Sequence, residues 1–206
     1  MKLHHYRNSR LLRWIFRFRK RCGYGIHSPF AFNFVTGVIY ESGEYYAYAD
    51  LTKLSAKENS CLRLKDNRLL FRMVNFQNPT KGLMFAPNLG LTASYMRAAR
   101  TFCQWTVINS VDSFSLLSDN QPLKKFDFIY AEAEFMTPEI WSSLRACSHP
   151  FSMMVLHAIH ATDSSYHNWL RCISDARVRV TFDLFDFGIL FFEERLNKED
   201  YTINYY

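Results

Sequence analysis

Residues 81–100, KGLMFAPNLGLTASYMRAAR, limit the possible folds of this chain more than any other stretch. Leu83-Met84-Phe85-Ala86 predicts a short buried strand, and Pro87-Asn88-Leu89-Gly90 a tight loop. Residues 92–100 predict a helix, with Leu91, Tyr95 and Met96 along its buried side. Strand, glycine-bearing loop and helix together open nucleotide-binding α/β sheets, where loop amides and the helix N-terminus face the ligand. The unit occurs in many α/β folds. Here its loop has one glycine, and a proline that removes a donor amide. It therefore says much about fold and little about activity.

The rest of the chain continues the alternation. Short apolar or β-branched runs at 105–110, 126–131 and 151–156 predict further strands, and 126–131 is almost wholly apolar, as buried parallel strands are. Runs at 178–185 and 188–192, joined at Asp186-Phe187, predict a hairpin. Ser28-Pro29 and Thr137-Pro138 place a capping hydroxyl before a proline at the first helical position, so helices should start there. Other helical stretches fall at 44–58, 69–78 and 163–174. Residues 59–67 and 111–124 are polar and read as loops, the latter with room for a short helix at 114–117. The last six residues are one more edge strand or a partner contact. Strands alternating with helices and closed by a hairpin predict a mostly parallel sheet, an antiparallel edge, and helices on both faces.

Charge divides the chain. Eight of its 25 Lys and Arg residues lie in 1–22, where there is no acid, so the remainder carries 17 basic against 19 acidic residues. The net charge of +6 belongs to the N-terminal arm. Residues 8–22 read as a basic amphipathic helix, whose arginines are either solvated or face an anionic partner such as nucleic acid or a membrane surface. The division adopted is a basic and helical segment, 1–78, followed by an α/β domain, 79–206. Hydrophobic content of 49% and aromatic content of 17% exclude a disordered chain. No window approaches a membrane span, and arginines at 13, 17 and 19 break up any secretory apolar core. Five scattered cysteines without a CxxC read as reduced thiols, which predicts a cytoplasmic protein.

Several short segments, in order, resemble a bacterial family of class I S-adenosylmethionine (SAM)-dependent methyltransferase-like proteins. They are GYGIHSPFAFNFV from Gly23, YYAY at 45–48, LLFRMVN at 69–75, LGLTASYM at 89–96, FDFIYAE at 126–132 and VTFDLFDFGILFF at 180–192. The resemblance implies a Rossmann-like class I methyltransferase fold over 79–206. Its sheet would be seven-stranded and mostly parallel, with an antiparallel C-terminal hairpin. It also implies SAM as cofactor and a small-molecule methyl acceptor.

Carried over residue by residue, the resemblance places cofactor binding at Asn88, Gly90, Asn109, Ser110 and Glu132, and aligns His157 and His160 with the family's acid-bearing segment after the fourth strand. The family's first-strand pattern, like LELGTSLG, stands here as LMFAPNLG, so Met84 replaces the acid and Ala86-Pro87 replace glycine and threonine. Asn109 or Ser110 replaces the acid expected after the second strand. Glu132 in YAEA matches a strand-ending aspartate. HAIHAT at 157–162 matches a pattern like DDIHWS, with His157 and Ala158 at the two acids. SAM presents a sulfonium, an ammonium and a ribose diol, all best met by carboxylates. Each lost charge-assisted hydrogen bond weakens binding by roughly 1.5–3 kcal/mol. Two such losses amount to roughly 10²–10⁴-fold, at about 1.4 kcal/mol per decade.

Glu132, His157 and His160 would meet at the carboxyl ends of neighbouring strands. That set suits a general base at either histidine, or a transition metal, though His-x-x-His on a loop is not diagnostic of one, and no metal ligands are assigned. Three readings follow: a methyltransferase-fold protein with weakened or lost cofactor binding and catalysis, an active small-molecule methyltransferase with an unusual cofactor site, and an adaptor acting through the basic arm.

Overall fold

The computed structural model describes residue 17 and residues 23–55, 62–110 and 124–205. Of the N-terminal helix expected at 8–22 only Arg17 falls within these residues, and the short helix expected at 114–117 lies outside them.

Seven strands form one sheet, in the order β2-β1-β3-β4-β6-β5-β7. They are β1 Lys81–Phe85, β2 Gln104–Ile108, β3 Phe128–Glu132, β4 Met153–His157, β5 Val180–Asp183, β6 Phe187–Phe191 and β7 Glu199–Thr202. The first four are mutually parallel, β6 runs antiparallel to both β4 and β5, and β7 lies parallel to β5 at the edge. The ends of β1 to β5 and β7, and the start of β6, therefore share one edge of the sheet.

Strand alternation sorts side chains onto two faces. Met84, Phe128, Tyr130 and Val155 face one apolar cluster, and Leu83, Phe85, Ile129 and Leu156 face the other. The first cluster is covered by α1 (Pro29–Phe34), α2 (Tyr48–Ser55), α3 (Leu64–Gln77) and α4 (Gly90–Ala99). The second is covered by a 3₁₀ turn (Ala133–Phe135), α5 (Pro138–Ala146) and α6 (Asp163–Ser174). This is the mostly parallel architecture with an antiparallel hairpin expected from the sequence, except that the antiparallel strand β6 lies inside the sheet rather than at its edge, which β7 forms parallel to β5.

Local chemistry sets the helix ends. Ser28 accepts from the Ala31 amide and Thr137 from the Ile140 amide, each with proline next in sequence; Thr162 caps α6 through Ser165. α1 continues as a π-helical turn, Val35–Ile39. The buried Arg72 guanidinium donates to the Val38 and Ile39 carbonyls, at 2.7 and 3.1 Å, so the widened turn leaves no orphaned acceptor there. Tyr45 and Tyr48 pack on Phe71, with centroids 5.0 and 5.1 Å away, so two of the three clustered tyrosines serve the core.

Two elements depart from expectation. α3 starts at Leu64 rather than near 69, because its polar first turn is buried and partnered. Asp66 takes Arg63 at 2.5 Å, and Asn67 accepts from Thr92 of α4 at 3.0 Å. The hairpin turns at Phe185-Asp186, one residue earlier than expected, with the Leu184 amide donating to the Phe187 carbonyl at 2.8 Å. Cys103, Cys147 and Cys172 are buried free thiols. Burial pushes the Cys172 thiol up to about 12, which leaves it unreactive. No helix among the described residues is long and apolar enough to cross a membrane.

Candidate functional site

The carboxyl ends of parallel strands leave a crevice where α/β sheets place ligands. Here that edge gathers every residue assigned from the sequence. Asn88 and Gly90 are exposed in the loop after β1, which is anchored by the Ala86 amide donating to the Ile108 carbonyl at 3.1 Å. Gly90 has φ +38, a left-handed value that favours glycine, and opens α4 with no side-chain cap. Asn109 and Ser110 are exposed after β2. Met84, at the position expected for an acid, is fully buried in the core between Val107 of β2 and Tyr130 of β3.

Glu132 and His157 end adjacent strands and stand opposite one another in register. His157 Nδ1 lies 2.7 Å from Glu132 Oε2, and the Tyr130 hydroxyl donates to Glu132 Oε1 at 3.3 Å. Tyr130 stacks on the imidazole from one direction and Phe187 tilts against it from another, with centroids at 6.5 and 5.3 Å. The pair is partly open, with side-chain exposures of 20% for His157 and 23% for Glu132. A carboxylate on Nδ1 orients the ring and leaves Nε2 for other work, the arrangement of a general base.

His160 takes a different partner. Its Nε2 lies 2.8 Å from Asp183 Oδ2, at the end of β5. Its ring is sandwiched between Phe185 and Tyr166, with centroids 4.6 and 4.8 Å away. Arg17 forks onto the same carboxylate at 3.0 and 3.2 Å and covers the Phe185 ring. The three residues grouped from sequence thus form two pairs, Glu132–His157 and Asp183–His160. Among the described residues no three His, Cys, Asp or Glu side chains are placed to hold a metal ion.

The segment joining the pairs is strained. Ala158 has φ +61 and Phe185 φ +76, values that L side chains rarely adopt. The Ala158 amide donates to the Asp186 carbonyl at 2.6 Å, and the Phe185 amide to Asp183 Oδ1 at 2.8 Å. Arg63 reaches Asp186 at 2.6 Å from the start of α3. Burial works against the Asp183 charge, but the His160 hydrogen bond and the Arg17 guanidinium outweigh it, bringing its pKa to about 2. Sequence reading missed Asp183, Phe185 and Tyr166. The only signal was the dense aromatic-acid alternation FDLFDF, which also fits an ordinary hairpin.

No protein-family model and no curated protein matches the sequence. Solved structures do match in shape. The O-methyltransferase TomG from Streptomyces achromogenes, in complex with SAM, is 11% identical with a TM-score of 0.51; 73% of this chain and 91% of that one are covered. The SAH-bound methyltransferase PaMTH1 of Podospora anserina is 8% identical with a TM-score of 0.57; 82% and 97% are covered. An O-methyltransferase from Bacillus cereus in complex with SAH is 10% identical with a TM-score of 0.50, covering 72% and 92%. The fold is thus Rossmann-like, of the class I methyltransferase type.

Proposed function

We propose that this chain is a methyltransferase-fold protein whose SAM binding and methyl transfer are weakened or lost, and which acts by binding. One observation carries the reading: among the described residues, the positions matched to cofactor binding offer little charge to a cationic cofactor. Met84 is core, Asn109 and Ser110 are neutral, and Glu132 is engaged by His157 and Tyr130. Asn88, Gly90 and Asn109 remain to meet such a cofactor, through amides and one hydroxyl contact. The set therefore fits SAM poorly.

The Glu132–His157 pair supports the other reading, an active methyltransferase that deprotonates an acceptor at His157 Nε2. Titration calorimetry with SAM and with S-adenosylhomocysteine, read beside thermal unfolding, separates the two. We expect no saturable heat and no shift. A ligand held at about 100 times its Kd stabilises by about 2.7 kcal/mol, which a melting curve shows plainly. Micromolar binding would overturn the proposal, and His157→Ala would then be expected to lose turnover while keeping the cofactor.

A further inference from the structure

A second cleft lies at the opposite edge of the sheet. Its volume is about 340 Å³, and His27, Ser28, Phe30, Arg195, Asn197 and Glu199 line it together with Val180. Val180 and Glu199 begin β5 and β7, so the cleft sits where the parallel strands start, away from Glu132 and His157. Phe30, held edge-on against Phe191 at 4.9 Å, gives it an apolar wall.

The loop carrying Arg195 is pinned from outside. Arg179 Nε donates to the Leu196 carbonyl at 2.8 Å. Lys198 Nζ donates to three carbonyls at the end of α6 and beyond it, those of Ile173, Asp175 and Val178. A turn from Glu193 to Leu196 closes the loop at 3.0 Å. Two cations thus hold backbone, while Arg195, His27 and Asn197 line the cleft without a hydrogen bond or ion pair to any described residue. Glu199 accepts from the Tyr201 hydroxyl, a neutral donor.

We propose that this cleft is a binding site for a small molecule carrying one carboxylate or phosphate for Arg195 and an ammonium or hydroxyl donor for Glu199. A planar guanidinium fork matches either oxyanion in two-point contact. Glu199 disfavours a second anionic group on the ligand and rewards a donor beside the first. The volume lies at the lower end of the range for small-ligand sites, about 300–1,000 Å³. The inference stands independently of whether the opposite crevice binds SAM.

The test is a two-dimensional amide and arginine side-chain NMR titration of the intact chain with two probes, L-serine and O-phosphoethanolamine. We expect one or both to shift the Arg195, Leu196 and Asn197 resonances saturably. Serine alone would assign the carboxylate class, and phosphoethanolamine alone the phosphate class. Arg195→Gln, on an exposed loop, should weaken binding at least about tenfold with unchanged melting, since a charge-assisted contact is lost. No shift at these residues with either probe overturns the proposal, as does equal affinity of the variant.

Discussion

Asp183→Ala is expected to destabilise the protein by about 3 kcal/mol, the lower end of the range of about 3–5 kcal/mol for breaking a buried ion pair by removing one partner, because this pair is part-buried. The Asp183 side chain is 16% exposed and that of Arg17 14%. The substitution strands four donors at once: two from Arg17, His160 Nε2 and the Phe185 amide. It also frees Phe185 to leave its left-handed backbone conformation, which carries of order 1–3 kcal/mol of strain. Acid should reproduce part of this loss. The folded pKa of about 2 lies below the unfolded value, so the unfolded chain binds the proton first. The stabilisation is complete above the unfolded value and disappears as pH falls toward 2. It amounts to roughly 2–3 kcal/mol for a shift of this size. Urea unfolding of wild type and Asp183→Asn through that window checks the sign: the gap between them should close as pH drops. A gap that stays constant would mean that the charge is not what holds the cluster.

The fold was legible because its signals are local. Apolar runs of strand length mark β1, β3 and β4, and Ser28, Thr137 and their prolines mark helix starts. What escaped depends on tertiary partners. Asp66 and Asn67 look like loop residues until Arg63 and Thr92 meet them, and the carbonyls of the π turn are met by Arg72, which reaches across from α3. Phe185 sits where a turn would ordinarily carry glycine or asparagine. Its ring is held on His160, and no residue-by-residue preference anticipates that.

The candidate site divides in the same way. Glu132 and His157 end two consecutive parallel strands, so their meeting follows from strand order alone. Asp183 needs the opposite kind of information. β6 comes later in the chain yet inserts between β4 and β5, so the end of β5 stands two strand positions from β4, and His160, three residues beyond β4, spans that gap to reach it. Arg17 belongs to a segment whose arginines read as either solvated or facing an anionic partner, yet it closes onto a part-buried carboxylate of the same chain. The degenerate cofactor pattern was visible in the sequence, whereas the reason Met84 is tolerated is not. In the structure it is an ordinary core residue between Val107 and Tyr130.

Because β6 is the strand that joins both pairs, its packing against α6 should carry the second large effect. Gly188 is flanked in register by Leu156 on β4 and Asp183 on β5, and a Cβ there would stand 2.5 Å from Cζ3 of Trp169. The indole is buried and α6 cannot easily retreat, because the Asn168 side chain donates to the Ala133 carbonyl at 2.9 Å. Trp169→Ala is expected to cost about 3–5 kcal/mol, as large core truncations do. Gly188→Ala should cost about 1–3 kcal/mol by overpacking. The two are in contact and should not add. With Trp169→Leu in place, Gly188→Ala should cost about 1 kcal/mol less than it does alone, a coupling that a double-mutant cycle by urea unfolding measures. Equal cost in both backgrounds would show that the ring does not lie over Gly188. Any displacement of β6 acts on its two neighbours together, moving Leu156-His157 on one side and Asp183 on the other. The glycine that admits Trp169 therefore sets where β6 lies between the strand ending at His157 and the strand ending at Asp183.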